Sequence, residues 1–319
     1  VTTSAQFSAR PGGNGAGDPS QGDTLDKAAR ENFPVAPGFL PAAWRDDLMA
    51  VYGFARLVDD SGDGDLADPA GTAALLGAPA HGGDETAFRL GLLDGLERDL
   101  DRVFEAALPG TVSEPPRHPL MRALVPLIGR HAVTPEPFRR LIEANRVDQT
   151  TTRYPTFESL VGYCTLSADP VGRLVLALAD VATPERIERS DEICTALQVI
   201  EHLQDVAEDL ARGRIYLPTE DMARHGVTEA DLAAPTADAR VRELVAFEAA
   251  RARTLLDRGA PLVGTVRGRL RLLLAGFTAG GYAALAAIEA AGYDVLAQQP
   301  KPDKRRLAMK AAAIFAKGR

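Results

Sequence analysis

Tyr52-Gly53-Phe54-Ala55-Arg56-Leu57-Val58-Asp59-Asp60-Ser61-Gly62-Asp63 is the stretch that decides how this chain folds. Leading into and through it, Trp44, Leu48, Val51, Tyr52, Ala55 and Val58 recur at three- and four-residue steps, which predicts a helix, opened by Pro41 in its first turn. On that helix Tyr52, Arg56, Asp59 and Asp63 share one stripe. Carboxylates at i and i+4 repel each other by roughly 0.2–0.5 kcal/mol, so a cation between them relieves the helix. A second acidic stretch, Asp205-Val206-Ala207-Glu208-Asp209, precedes Arg212-Gly213-Arg214-Ile215-Tyr216-Leu217-Pro218. There Gln198, Glu201, Asp205 and Asp209 follow one helical stripe, with Glu208 beside it. Oxygen-only ligands flanked by arginines suit Mg²⁺ bridging to a phosphate ester. A solvated helix end explains either motif alone; it does not explain both together with their flanks.

The chain has 319 residues, 45% of them hydrophobic and 25% charged, with a net charge of −8. That is an ordinary globular composition, and its sign argues against a nucleic-acid partner. Cys164 and Cys194 lie far apart with no CxxC, so a disulfide framework or zinc site is not expected and a reducing cytoplasm fits. His81, His118, His131, His202 and His225 form no HxxxH pair. No apolar run approaches the ~20 residues needed to span a bilayer, and no basic-then-apolar leader is seen. Peripheral membrane contact through the basic, amphipathic tail from Lys301 onward stays open, as does the oligomeric state.

Residues 1–27 are rich in Gly, Ser, Thr, Asp and Pro and are expected to be disordered. Residues 28–319 are expected to form a single all-α domain. Helices are predicted over Thr86–Leu108, Leu120–Arg130, Pro135–Asp148 and Phe157–Asp169, the last broken at Pro170 and resuming through Leu176. Others follow over Ile187–Leu210, Val241–Asp257 and Pro261–Glu289. Gly62–Gly83 reads as loop. No strand pattern, internal repeat or Gly-rich phosphate loop is present.

Two acidic helices facing each other across an apolar cavity would let Mg²⁺ and Arg56 and Arg214 hold one diphosphate. The carbon–oxygen bond then ionises. The resulting carbocation needs a dry pocket, and Tyr52, Phe54 and Phe33 are candidates to face it with their rings. The expected chemistry is ionisation of an isoprenoid diphosphate.

The spacing Tyr52-x-Phe54-x-Arg56-x-x-Asp59-Asp60-x-x-Asp63 resembles the first aspartate-rich motif of the squalene/phytoene synthase family. Gln198 through Asp209, with Gly213 to Pro218, resembles the second. Glu31-Asn32-Phe33-Pro34-Val35-Ala36 and Tyr163-Cys164-x-x-Ser167-Ala168-x-Pro170-Val171-Gly172-Arg173 look like the bacterial hydroxysqualene synthases of hopanoid pathways, the HpnC type. The resemblance implies the isoprenoid synthase helical bundle with a central active-site cavity, Mg²⁺ as cofactor and presqualene diphosphate as substrate. It implies metal binding by Asp59, Asp63, Asp205 and Asp209, with Asp60 a further candidate. Tyr52, Arg56, Glu201 and Tyr216 are the candidate catalytic residues. Asn32, Phe33, Phe54, Gln198 and Arg214 are the candidate substrate-binding ones.

Some positions depart from the family pattern. Thr165 stands where condensing members have a tyrosine tied to the cyclopropane-forming step, which favours a second-step enzyme. Glu201 replaces a common Asn. Gln298 and Gln299 stand where arginines are expected, which suits a substrate with one diphosphate. Gln198, Glu201, His202 and Tyr216 are placed to position a water, with Glu201 as proton acceptor. The alternatives are presqualene diphosphate, squalene or phytoene synthesis, and a non-catalytic binding or assembly role; retention of every acidic position weighs against the last. Arg214 to Pro218 argues against a single-substrate terpene cyclase.

Overall fold

The structure, a computed structural model, describes residues 36–111, 113–302 and 304–317. The expectations for residues 1–27, Asn32 and Phe33 lie outside the described residues. Among the described residues the architecture is all-α, with no strand and a single isolated bridge between Arg153 and Ile215.

The first half comprises α1 (Ala42–Asp63), α2 (Pro69–Leu76), α3 (Glu85–Ala106), α4 (Pro119–Arg122), α5 (Val125–Arg130) and α6 (Glu136–Val147). Val51, Phe54, Leu57 and Val58 bury one face of α1 against Leu92, Leu96 and Leu100 of α3 and Phe138 and Ile142 of α6. Gly64 stops α1 in the left-handed region, at φ 80°, a conformation glycine adopts without strain. The expected loop from Gly62 to Gly83 is interrupted by α2. Asp68 accepts from the Gly71 amide, Pro69 opens the helix, and Ala73 and Leu76 are buried. Cap and packing together stabilise a helix that Gly and Pro content had masked. The helix expected over Leu120–Arg130 is divided, because Pro126 in the first turn of α5 has no amide hydrogen to continue the ladder.

The second half comprises α7 (Phe157–Ser167), α8 (Asp169–Leu178), α9 (Pro184–Gln204), α10 (Val206–Ala211), α11 (Thr219–Arg224), α12 (Glu229–Leu232), α13 (Ala239–Gly259), α14 (Leu262–Thr265), α15 (Gly268–Ala290) and α16 (Lys304–Lys317). Thr156 caps α7 through a reciprocal bond pair with Ser159. The break at Pro170 occurs as expected: α7 stops at Ser167 and α8 restarts with the proline in its first turn. The single helix expected over Ile187–Leu210 starts earlier, at Pro184, and breaks at Asp205, whose φ of −106° and ψ of 12° leave the helical range. The expected Pro261–Glu289 helix is likewise two, separated by extended backbone at Val266 and Arg267.

Small residues let these helices close on α9. A Cβ on Gly259 would stand 2.7 Å from the Arg189 carbonyl oxygen, and one on Gly281 2.9 Å from both Leu197 and Leu256. Helix α15 is apolar and long enough to cross a bilayer, yet 61% of its apolar window is buried in the protein. It packs on α9, α13 and α16 as a core helix. The basic tail forms α16, where Lys310 Nζ lies 4.4 Å from the Tyr282 ring centre and Arg271 donates to the Phe315 carbonyl.

Candidate active site

The site forms where the end of α1, the end of α6, the segment 212–218 and the α9–α10 junction meet. α1 and α6 approach closely at Gly62: a Cβ there would fall 2.2 Å from Asn145 Oδ1. That approach lets Asn145 Nδ2 donate to Asp59 Oδ1 at 3.1 Å and Gln149 Nε2 to the Gly62 carbonyl at 2.9 Å. The segment 212–218 is anchored by backbone. Ile215 N donates to Thr152 O and Thr219 N to Tyr154 O, each at 2.9 Å. Arg153 holds the Gly213 carbonyl at 2.7 Å.

So fixed, Arg214 Nη1 reaches Asp63 Oδ1 at 3.0 Å, and Arg212 Nη1 reaches Asp63 Oδ2 at 3.4 Å. The two motifs, some 150 residues apart in sequence, are thus joined by an ion pair. Behind it lies Asp148, at the end of α6. The Tyr163 hydroxyl donates to its Oδ2 at 2.7 Å, and the Tyr216 hydroxyl lies 3.5 Å from its Oδ1. Tyr154, Tyr163, Tyr216 and His202 pack as one aromatic cluster, with His202 stacked on Tyr216 at 3.7 Å between ring centres. Gln198 bonds His202 at 3.2 Å, and His202 Nδ1 lies 3.7 Å from Asp209 Oδ2. Gln299 donates to Asp205 and Gln204 to the Pro300 carbonyl, so the segment after α15 ties down the α9–α10 break.

The electrostatics are those of crowded carboxylates. Burial, followed by the Asp63 and Asp60 charges, pushes Asp59 up to about 7 against the Asn145 bond and Arg56. The Asp59 side chain keeps solvent-accessible surface, so water relieves part of that desolvation. Burial also raises Asp148 and Asp205, the latter helped by Asp209 and Glu208. Burial works against charge on Arg214, but Tyr216, Asp63 and Asp148 outweigh it and raise its pKa. Burial and then the Asp148 charge hold the Tyr163 and Tyr216 phenols protonated.

A cavity of about 230 Å³ adjoins the second motif, between the α7–α8 junction, α9, α14 and α15. Val171, Val175, Ile193, Leu197, Leu274 and Phe277 make its apolar wall, and Gln198 and Glu201 lie in it one turn before Asp205. A second cavity, of about 490 Å³ behind α1, α2 and α3, is lined by none of the motif aspartates and stands apart from this chemistry.

Asp59, Asp63, Arg214, Tyr216, Gln198 and the Asp205/Asp209 turn are therefore brought to one region. Tyr52 and Arg56 are half-buried on α1. Two expectations need correction. Phe54 is fully buried and edge-on to Phe138 at 5.0 Å; it lies on the core face of α1, so its ring faces no cavity. Phe277 is the aromatic ring in the cavity wall. Asp60 leaves the set of metal-facing carboxylates: one residue on from Asp59 the helix has turned by about 100°, and Asp60 is 2% exposed and pairs with Arg56 Nε at 3.0 Å. Thr165 bonds the Gly162 carbonyl at 2.8 Å and lines no part of the cavity. The phenol that enters the site is Tyr163. Asp148, Asn145 and Tyr163 were missed as site residues. The signal for Asn145 and Asp148 was the polar face Asn145-x-x-Asp148-Gln149 ending an amphipathic helix, and that for Tyr163 was its place in the quoted Tyr163-Cys164 motif.

The sequence profile of squalene/phytoene synthase matches residues 26–306. The chain belongs to the squalene/phytoene synthase family. It is 32% identical over 245 residues to the phytoene synthase of Arthrospira platensis, covering 72% of this chain and 71% of that one. It is 33% identical over 233 residues to the hydroxysqualene synthase of Zymomonas mobilis, covering 72% and 69%. The crystal structure of squalene synthase HpnC from Alicyclobacillus acidocaldarius superposes with a TM-score of 0.68 at 39% identity, over 86% of this chain and 95% of that one. Squalene/phytoene synthases are enzymes, and this chain has their helical isoprenoid synthase fold.

The donor set fits Mg²⁺ in a particular way. Among the described residues no three His, Cys, Asp or Glu side chains converge into a ready-made cage. Mg²⁺ is usually held by one or two carboxylates, several waters and the substrate's own phosphates. The carboxylate pairs Asp59/Asp63 and Asp205/Asp209, exposed at Asp59 and half-buried at the other three, with Arg214 and Arg212 beside Asp63, meet that requirement.

Proposed function

We propose that the protein converts presqualene diphosphate to hydroxysqualene in a Mg²⁺-dependent reaction with no reductant. The observation that carries this reading is the join of the two motifs by Asp63 and Arg214, next to an apolar cavity with Gln198 and Glu201 in its wall. Asp59, Asp63, Asp205 and Asp209 would hold the metal. When bound, Mg²⁺ supplies positive charge that neutralises the departing diphosphate. Arg214 donates charge-assisted hydrogen bonds to the same group, and Tyr216, kept protonated, is a neutral donor beside it. Loss of diphosphate leaves a carbocation in the cavity, where Phe277 offers a ring face. Water captures the rearranged cation: a carbon–oxygen bond forms and the released proton passes to Glu201, which is exposed at the cavity. Gln299, a neutral donor to Asp205, fits a site for one diphosphate.

The placement of Tyr163 supports a second reading, head-to-head condensation of two prenyl diphosphates, because the site keeps a phenol beside Asp148. One experiment separates the two. The pure protein is incubated with Mg²⁺ in ¹⁸O-labelled water with either presqualene diphosphate or farnesyl diphosphate. Labelled hydroxysqualene from presqualene diphosphate without NADPH is expected. Squalene formed only with NADPH, and no alcohol without it, would assign the chain to reductive squalene synthesis; robust presqualene diphosphate from farnesyl diphosphate would assign it to condensation.

A further inference from the structure

We infer that Asn145 and Gln299 aim the two metal-binding pairs. Each holds the leading aspartate of one pair with a neutral carboxamide, and together they set the affinity of the site for divalent cations. The inference rests on the reading just proposed and deepens its metal-binding part. Asp59 leads the Asp59/Asp63 pair on α1, and Asp205 leads the Asp205/Asp209 pair at the α9–α10 break. Asn145 Nδ2, on α6, donates to Asp59 Oδ1 at 3.1 Å, and Gln299 Nε2, from the segment after α15, donates to Asp205 Oδ1. The donors lie 86 and 94 residues from their acceptors in sequence, so the tertiary structure supplies both contacts.

Both donors are delivered by fixed backbone. Asn145 is 8% exposed and stands where α1 and α6 meet at Gly62. Its Nδ2 also donates to the Leu141 carbonyl at 3.2 Å. A carboxylate and a carbonyl are acceptors only, so the amide must present its nitrogen to both, which settles its orientation. Gln149, four residues on, bonds the Gly62 and Asn145 carbonyls, each at 2.9 Å, and ties the end of α6 to α1. The segment carrying Gln299 is pinned on both sides. Upstream, the Asp294 carboxylate accepts from the Ala237, Leu296 and Ala297 amides at 3.0, 3.3 and 3.2 Å and pairs with Arg242 at 2.6 Å. Downstream, Gln204, the residue before Asp205, donates to the Pro300 carbonyl. Gln299 lies between these two anchors with its side chain on Asp205.

The charge of the donors matters as much as their place. The arginines of the site engage other carboxylates: Arg56 pairs with Asp60, and Arg212 and Arg214 pair with Asp63. A guanidinium on Asp59 or Asp205 would form a charge-assisted bond roughly twice as strong as a neutral one, and would cancel the charge that a cation needs. A carboxamide orients without neutralising. A carboxylate has about four lone-pair sites on its two oxygens, so one amide bond at Oδ1 leaves Oδ2 and the negative charge for a metal ion. Removing a partner that orients a metal ligand typically lowers metal affinity about 10- to 100-fold. Asn145 and Gln299 are therefore positioning residues, acting through Asp59 and Asp205. A glutamine at 299, where an arginine is expected, follows from the same argument: a cation there would compete with the metal for Asp205.

The test follows the thermal midpoint of the full chain as Mg²⁺ is raised at a fixed concentration of inorganic pyrophosphate. A ligand bound only by the folded state raises that midpoint, so the wild type should gain stability along the titration. In Gln299→Leu, which keeps the bulk and loses the donor, half of that gain should need about tenfold more Mg²⁺. Its metal-free midpoint should stay within about 2 °C of wild type, because Gln299 is exposed. Gln299→Arg, which keeps a donor but adds charge, should show the same rise in Mg²⁺ requirement. Asn145→Ala should show it through the first motif; if that variant does not fold, the exposed Gln299 carries the test. An unchanged Mg²⁺ requirement in Gln299→Leu, with or without a fall in the metal-free midpoint, would overturn the inference, and so would a Gln299→Arg protein that matches wild type. Wild-type protein whose midpoint does not respond to Mg²⁺ and pyrophosphate together would instead overturn the metal-binding reading on which the inference rests.

Discussion

Glu248 on α13 is 1% exposed and Asp221 on α11 is fully buried. Arg251 Nη1 bridges them, 3.2 Å from Glu248 Oε1, while Arg224 holds the far oxygen of Asp221 at 2.8 Å. The Arg251 guanidinium is itself sandwiched, 4.3 Å from the Phe247 ring centre and 4.6 Å from that of Phe157. Burial, then the Asp221 charge and hydrogen bond, push Glu248 up to about 8 despite Arg251. The folded protein therefore carries one more proton than the unfolded chain between the ordinary glutamate value and about 8. Stability from this group is complete below the unfolded value and is lost as pH rises through the folded one. Each pH unit in that window removes at most about 1.4 kcal/mol, and the whole window on the order of 4 kcal/mol. Arg251 is 27% exposed, so water reaches one side of the cluster and about half of that is expected. Glu248→Gln keeps the shape of the protonated acid and cannot titrate. Urea unfolding followed by circular dichroism should show wild type and variant within about 1 kcal/mol at acidic pH. At alkaline pH the variant should be more stable by about 2 kcal/mol. Parallel pH dependences for the two proteins would refute the argument. Because α11 directly follows Tyr216-Leu217-Pro218, the same titration bears on how firmly the second motif is held.

Asp59→Ala and Asp205→Ala should each lower turnover at least about a thousandfold with helical circular dichroism intact; near-normal turnover in either would end the shared-site reading. Asp148→Asn takes the charged acceptor from Tyr163 and a counter-charge from Arg214, so kcat/KM should fall about ten- to a hundredfold. If kcat/KM is unchanged while the thermal midpoint drops, Asp148 supports the fold alone.

What could be read from the sequence was whatever repeats within one element. The α1 stripe, the cap at Thr156 and the break at Pro170 depend on neighbours three or four residues away, and each was legible. Asp60 and Phe54 show the limit of that method. Both belong to the quoted motif, but the helix rotates them away from Asp59 and Asp63, and only the burial of the opposite face says so. Asp148 and Tyr163 were hidden for another reason. Their meeting needs α6, α7 and the segment 212–218 to converge, and no local period encodes that. The α9–α10 break at Asp205 was hidden too, since it coincides with tertiary ties, Gln299 to Asp205 and Gln204 to Pro300, that no local period encodes.

The charges at the site place a condition on the proposed reaction. Asp59, Asp63, Asp148, Asp205 and Asp209 crowd one region, and the nearest cations, Arg56, Arg212 and Arg214, are already engaged with Asp60 and Asp63. A bare diphosphate entering would meet like charge at short range in a partly desolvated site, where repulsion is stronger than in water. Burial, with smaller contributions from neighbouring carboxylates, raises Asp59, Asp148 and Asp205. Under the proposed reaction, binding would be favourable if the diphosphate arrived with divalent cations held by Asp59, Asp63, Asp205 and Asp209, which would free Arg214 to face the phosphate oxygens. The Asp63–Arg214 pair would then be a placeholder, joining the two motifs here and giving up both partners when the proposed substrate binds.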